Sequence, residues 1–143
     1  MIRIFKRVTV LFLFLLFFCG QVFAGRPFII DTDAGVDDII AILYLLQAPE
    51  MKIKAITIAS TGNAHCESAL QNILGLLKLM KRTDIPVECG PLQPLSGQHT
   101  FPENILAEGD SLAGAAKLLP QVKRTSQQRG VDLFIDTIQI VAV

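Results

Sequence analysis

This 143-residue chain lacks the marks of several function classes. No basic stripe runs through it: 13 Lys and Arg stand against 13 Asp and Glu, so the electrostatic footprint of a nucleic-acid binder is missing. It has no internal repeat and no low-complexity tract, and its length allows one domain at most. Histidine is scarce, at two residues, and cysteine numbers three. The apolar run Val8 to Phe18 is too short for a comfortable membrane span.

What is present begins with a leader. Arg3, Lys6 and Arg7 precede the apolar run, and Val22-Phe23-Ala24 places short residues where a signal peptidase reads. This layout predicts a secretory signal peptide over residues 1–24, with cleavage after Ala24 and a periplasmic or secreted product. A retained N-terminal anchor is the alternative. A lipid anchor would use Cys19, but bulky Phe18 beside it argues against that processing. The mature chain, residues 25–143, keeps ten basic and thirteen acidic residues, a formal charge of −3. It is expected to need no membrane after cleavage. Cys66 and Cys89 remain. An exported protein could join them, but two small buried thiols are the simpler expectation.

The densest chemistry is Asp31-Thr32-Asp33-Ala34-Gly35-Val36-Asp37-Asp38, which packs four carboxylates into eight residues. It follows the apolar run Phe28-Ile29-Ile30 and precedes another, Ile39 to Leu46. Four carboxylates at the mouth of a core cannot all stay ionised cheaply; some protonate, or a cation sits among them. An oxygen-only cluster favours a hard cation, Ca²⁺ or Mg²⁺. Capping of the following helix by Asp37 or Asp38 is the simpler alternative for those two. It leaves Asp31 and Asp33 unexplained.

Hydrophobic patterning places the cluster. Phe28 to Asp31 reads as a buried strand. A helix begins at Asp37 or Asp38, apolar nearly all round and therefore expected to be heavily buried, and stops at Pro49. Met51 to Ala59 reads as a central parallel strand. Thr61-Gly62-Asn63 makes a turn, a helix follows to about Lys81, and Ile85 to Cys89 is a short strand. Asn72 should tie that helix to a neighbouring loop, and His65 reads as a surface residue at its start. The β-α-β-α-β order predicts an open, mainly parallel α/β sheet with flanking helices, a Rossmann-like core. Ligands should bind at the carboxyl ends of the strands, where both polar turns lie. From Gly90 to about Gly109 a long loop carrying His99 is expected. Asp110 or Ser111 should cap a short helix to Leu119, which Pro120 ends. Gln121 to Gly130 reads as a surface linker, and Val131 to Val143 as a helix passing into a strand. The core-like terminus suggests a domain that continues beyond it, and an open sheet edge predicts pairing with a second copy or aggregation.

These residues resemble the nucleoside hydrolases, the inosine–uridine-preferring family of N-ribosyl hydrolases. The family signature is a strand, then Asp-Thr-Asp-Pro-Gly-x-Asp-Asp, then an apolar helix; here it reads DTDAGVDD followed by IIAIL. A second block matches through Ile56-Thr57, Gly62-Asn63, Asn72 and Asp84-Ile85-Pro86-Val87 with Gly90. The resemblance covers Phe28 to about Gly90. Glu108-Gly109-Asp110 is faintly similar to a glycine-rich acidic loop of the family.

The resemblance implies a Ca²⁺ cofactor and a small-molecule nucleoside substrate, cleaved by water to ribose and free base. It implies that Asp33 and Asp38 bind the metal and that Asp33 takes a proton from the attacking water. Asp37 would contact the ribose hydroxyls, Asn63 would line the ribose site, and Asp31 would support the others from behind. Ala34 stands where the motif has proline, a change expected to loosen the turn without removing a ligand. Family chains are much longer, and their later ligands and leaving-group acid have no counterpart here. Two rival readings follow. One is a truncated or degenerate, non-catalytic product that retains metal or sugar binding. The other is a haloacid-dehalogenase-like phosphatase using Asp31 and Asp33, against which Gly35 occupies the motif's Thr/Val position.

Overall fold

The computed structural model describes residues 25–97, 100–124 and 128–141. The leader and its cleavage point, and His99, lie outside them. Three strands, β1 (Arg26–Thr32), β2 (Met51–Ile58) and β3 (Val87–Cys89), form one parallel sheet in the order β1-β2-β3. Between them run α1 (Val36–Gln47) and α2 (Cys66–Leu79); α3 (Glu103–Ser111), a 3₁₀ turn (Ala116–Leu118) and α4 (Gly130–Val141) follow. Each strand-to-strand connection carries a helix, as parallel pairing demands. The open parallel sheet with flanking helices expected from the sequence is the architecture found.

The register explains why β2 changes from alternating to continuously apolar. Phe28 pairs with Ile53 and Ile29 with Ala55, so Lys54 is an extra residue on β2. Such a bulge shifts the alternation by one position. Ile53, Ile56 and Ile58 then share one core with Ile39, Ile42 and Leu46 of α1 and Leu70, Ile73 and Leu77 of α2. The other face is covered by α4, through buried Leu133 and Thr137. This helix starts with Gly130 pressed against the backbone of Cys89 and Gly90. It ends with Ile138 and Val141 beside Pro27, Phe28 and Ile29, around a cavity of about 300 Å³.

Several expectations are corrected. Helix α1 is buried on one side only: Ile40 is 63% and Tyr44 75% exposed. Its N-cap is Gly35, with Asp37 and Asp38 in the first turn and no side-chain cap bond. The carboxylates act there through the helix dipole and are free for other bonds. Strand β3 begins at Val87, although Pro86 already accepts from the Ile56 N–H. The helix expected to start at Asp110 lies upstream, at Glu103–Ser111, because Pro102 opens it and Leu112 closes it in a left-handed conformation. Residues 130–141 are helical throughout, with no passage into a strand. The linker after Gln121 is not wholly a surface turn: Arg124 pairs with Glu88, whose side chain is 2% exposed. The two cysteines are joined, with Cα atoms 6.0 Å apart, rather than standing as separate thiols. Packing of α2 on β3 brings their backbones within bridging range, and nothing in their spacing of 23 residues announces it.

Candidate active site

The first turn is built by Thr32, whose importance sequence reasoning missed. Its buried hydroxyl donates to Asp38 Oδ2 at 2.5 Å and accepts the Ala34 N–H at 3.0 Å. The Asp33 N–H also donates to Asp38 Oδ2, at 3.2 Å. Asp38, in the first turn of α1, thus reaches back to the end of β1 and closes the strand-to-helix turn. Ala34 takes a left-handed conformation, φ 60°, and is buried. Proline, with φ held near −65° and no N–H to give, fits neither feature. Alanine here does not simply loosen the turn, as expected; it makes a hydrogen bond that proline cannot.

The second turn packs onto the first. The Ala59 N–H donates to the Thr32 carbonyl at 2.8 Å, and the Gly62 N–H to the Ala59 carbonyl at 3.0 Å. Gly62 lies so close to Asp33 that a Cβ there would sit 2.1 Å from the Asp33 Cβ. Only glycine lets the two backbones approach in this way.

The outcome is visible around Gly35. The point where its Cβ would stand is 2.8 Å from Asp37 Oδ1, 3.1 Å from Asn63 Nδ2 and 3.6 Å from Asp33 Oδ1. Three polar side chains, the outermost of them 30 residues apart in sequence, therefore surround one point at the carboxyl ends of β1 and β2. Asp33 Oδ1 also accepts the Gly35 N–H at 3.3 Å. Burial pushes the Asp33 carboxyl above its ordinary value, and neighbouring Asp38 adds to this, while the backbone N–H groups of Gly35 and Asn63 pull it down. A carboxyl so placed is a stronger base than usual and gains from a nearby cation.

Asp31 stands apart from this group. It pairs with Thr57 across the sheet and accepts that hydroxyl at 2.6 Å. It lines a different cavity, of about 430 Å³, together with Ser60, Gly90, Leu95 and Phe134. A third element completes the surroundings of Asn63. Gly109 of α3 lies against the Asn63 carbonyl, 2.1 Å from where its own Cβ would be. Asp110 accepts both the backbone N–H of His65 and its ring Nδ1, each at 2.8 Å, and its carbonyl accepts from Asn72 Nδ2 at 3.0 Å. Asn72 does tie its helix to a neighbouring segment. Asp110 is the partner that the sequence could not name, because it lies 45 residues from His65.

The oxygen-only donors suit a hard cation. Among the described residues, however, no group of three or more His, Cys, Asp and Glu side chains is arranged to hold a metal ion. Asp33 and Asp38 are two carboxylates of the six to eight oxygens that calcium takes.

Comparison with known proteins decides the lineage. The family model described as inosine-uridine preferring nucleoside hydrolase matches residues 28–142. The chain belongs to that family. A pyrimidine-specific ribonucleoside hydrolase RihA of Photobacterium profundum is 48% identical over 84 residues, covering 59% of this chain and 27% of that protein. The RihA of Salmonella paratyphi B is 40% identical over 114 residues, covering 79% of this chain and 35% of the relative. Among solved structures, the plant nucleoside hydrolase PpNRh1 superposes with a TM-score of 0.59 at 33% identity, over 71% of this chain and 32% of that one. A purine-preferring ribonucleoside hydrolase from Gardnerella vaginalis gives 0.62 at 26%, over 80% and 36%. The chain thus spans about a third of the length of these nucleoside hydrolases. The matched region, residues 28–142, contains both turns that converge at Gly35.

Proposed function

We propose that this chain carries the ribose-binding part of an N-ribosyl hydrolase site, which converts a ribonucleoside and water to ribose and free base. The observation that carries the proposal is the convergence of Asp33, Asp37 and Asn63 on one point at the strand ends, in a chain of this family. Asp37 accepts hydrogen bonds from the ribose hydroxyls, and Asn63 donates to the sugar from the other side. Asp33, made more basic by burial, takes the proton from the attacking water. Breaking the N-glycosidic bond builds positive charge on the ribosyl ring, which these carboxylates stabilise. Asp33 and Asp38 are the residues that would hold calcium, and bound calcium supplies Lewis-acid polarisation of the water. Asp31 supports the site through the β1–β2 pairing with Thr57 rather than by touching Asp33. The two RihA relatives are named pyrimidine-specific ribonucleoside hydrolases, so uridine is the first substrate to test.

A second reading, residual ribose or metal binding without turnover, fits a site in which Asp33 and Asp38 supply two of the six to eight oxygens that calcium takes. The phosphatase reading gains nothing from the family match. Export is part of the proposal: a disulfide suits an oxidising compartment, and Cys66 and Cys89 are joined. The open edges of β1 and β3 would allow pairing with a second copy.

The test is calorimetric titration of calcium into residues 25–143, with release of ribose from uridine and inosine assayed in the same samples. Binding with turnover supports hydrolysis. Binding of calcium or ribose without turnover supports the second reading, and neither sinks both. N-terminal sequencing of the exported protein checks cleavage after Ala24.

A further inference from the structure

The turn of residues 59–65 sits between three elements, and its attachments to them differ in kind. Toward β1 it is held by the Ala59–Thr32 hydrogen bond and by the contact of Gly62 with Asp33. Toward α3 it is held by the bonds of His65 to Asp110, which are exposed to solvent. Toward β3 it is held by the Ser60 hydroxyl, which donates to the Gly90 carbonyl at 2.9 Å, and by the Cys66–Cys89 bridge. Cys66 is the first residue of α2, three positions after Asn63, and Cys89 is the last residue of β3. The bridge therefore fastens the exit of the turn to the strand end beside it. In the core beneath it, Ile56, Ile58, Ile73 and Leu77 are fully buried, and Cys89 packs against that cluster from its edge.

We infer that the Cys66–Cys89 disulfide is a positioning device for Asn63. It holds the turn down so that the Asn63 amide stays at Asp33 and Asp37. With the packing of Gly62 on Asp33, of Gly109 on Asn63 and of buried Ala64 unchanged, opening the bridge frees the turn on its β3 side, where it is then held by the single Ser60–Gly90 hydrogen bond beside the exposed His65–Asp110 bonds. Such bonds open by local fluctuation, without unfolding of the sheet. The link to catalysis rests on the proposed role of Asn63 in the ribose site; the link to the geometry of the turn does not.

The experiment compares the oxidised full chain with the chain treated with tris(2-carboxyethyl)phosphine. One phosphine and one water convert one disulfide to two thiols and a phosphine oxide, so titratable thiols rise by two. Amide hydrogen exchange is then followed along the chain. Amides of residues 60–66 are expected to exchange on the order of 10-fold faster after reduction, with those of β1 and β2 little changed. The double variant Cys66→Ala with Cys89→Val, which restores buried volume without the bond, should behave like the reduced protein. Unchanged exchange at 60–66 with both thiols free overturns the inference. So does equal acceleration in β1 and β2, because the bridge is then a general staple. With uridine, the reduced enzyme should show a KM raised several-fold at nearly constant kcat. No turnover in either state counts against the hydrolase reading alone, and the exchange data still decide the role of the bridge.

Discussion

Gly62→Ala probes the contact on which the two-turn site depends. The new Cβ would lie 2.1 Å from the Asp33 Cβ, 2.9 Å from its Cα and 3.1 Å from the Ala59 carbonyl oxygen. Carbon atoms in contact sit about 3.5–4.0 Å apart, so the two backbones must separate by roughly 1.5 Å. The obstacle on the Asp33 side is backbone and Cβ, which cannot swing away as a long side chain does. Overpacking of this kind costs about 1–3 kcal/mol. Lifting the turn also strains the Gly62–Ala59 and Ala59–Thr32 hydrogen bonds, each worth about 1 kcal/mol. A loss of about 3 kcal/mol is expected, which for a domain of this size lowers Tm by roughly 10 °C. Gly90→Ala is the control, since its Cβ meets only the Ile58 carbonyl oxygen, at 3.3 Å. Thermal unfolding followed by circular dichroism reads both variants, and calcium titration reads the site. A Gly62→Ala protein that melts within a degree or two of the parent would refute the close approach, and with it the convergence at Gly35.

Asp33→Asn should lower ribose release by about 10²–10⁴-fold, the contribution of a general base, with the fold retained by circular dichroism; unchanged hydrolysis would remove Asp33 from the proton-transfer role. The His65 imidazole is held above its ordinary value of 6.5 by its hydrogen bond to Asp110 and then by the charge of that carboxylate. Its stabilisation is therefore complete below about pH 6.5 and lost as pH rises through the elevated folded value. Asp110→Asn should flatten the corresponding slope of Tm against pH, and an unaltered slope would show that the pair does not form. Arg124→Ala leaves buried Glu88 without its cationic partner and should cost about 3 kcal/mol. Adding Glu88→Gln should restore most of that loss, and urea unfolding that shows no recovery would argue against the pair.

The strand-turn-helix that carries Asp33, Asp37 and Asp38 was legible in the sequence because every local signal agreed: an apolar strand, a glycine-bearing acidic turn and an apolar run beyond it. Parallel order followed from element alternation, and the location of the site at the strand ends followed from parallel order. Local signals failed where partners are distant. Glu88 in a short strand gives no hint that Arg124, in a polar stretch, will bury against it. Helix α1 looked apolar all round because sequence cannot say how many neighbours will pack on it; α2 and the sheet cover one side, and Ile40 and Tyr44 face outward. The bulge at Lys54 alters no composition, yet it decides which side of β2 each isoleucine takes.

The sequence by itself determined the chemistry available at the site: carboxylates rather than nitrogen or sulfur ligands, carried at a strand end and in the first turn of the following helix. Tertiary structure alone decided which of them meet. Gly62 admits the second turn to within contact of Asp33 and so brings Asn63 to Asp37, whereas Asp31, two residues from Asp33, turns to Thr57 across the sheet. It also joined Cys66 to Cys89 and set Asp110 on His65. The physical reason is common to all four: each contact is made when separate elements pack on one core, and no neighbouring residue along the chain encodes that approach.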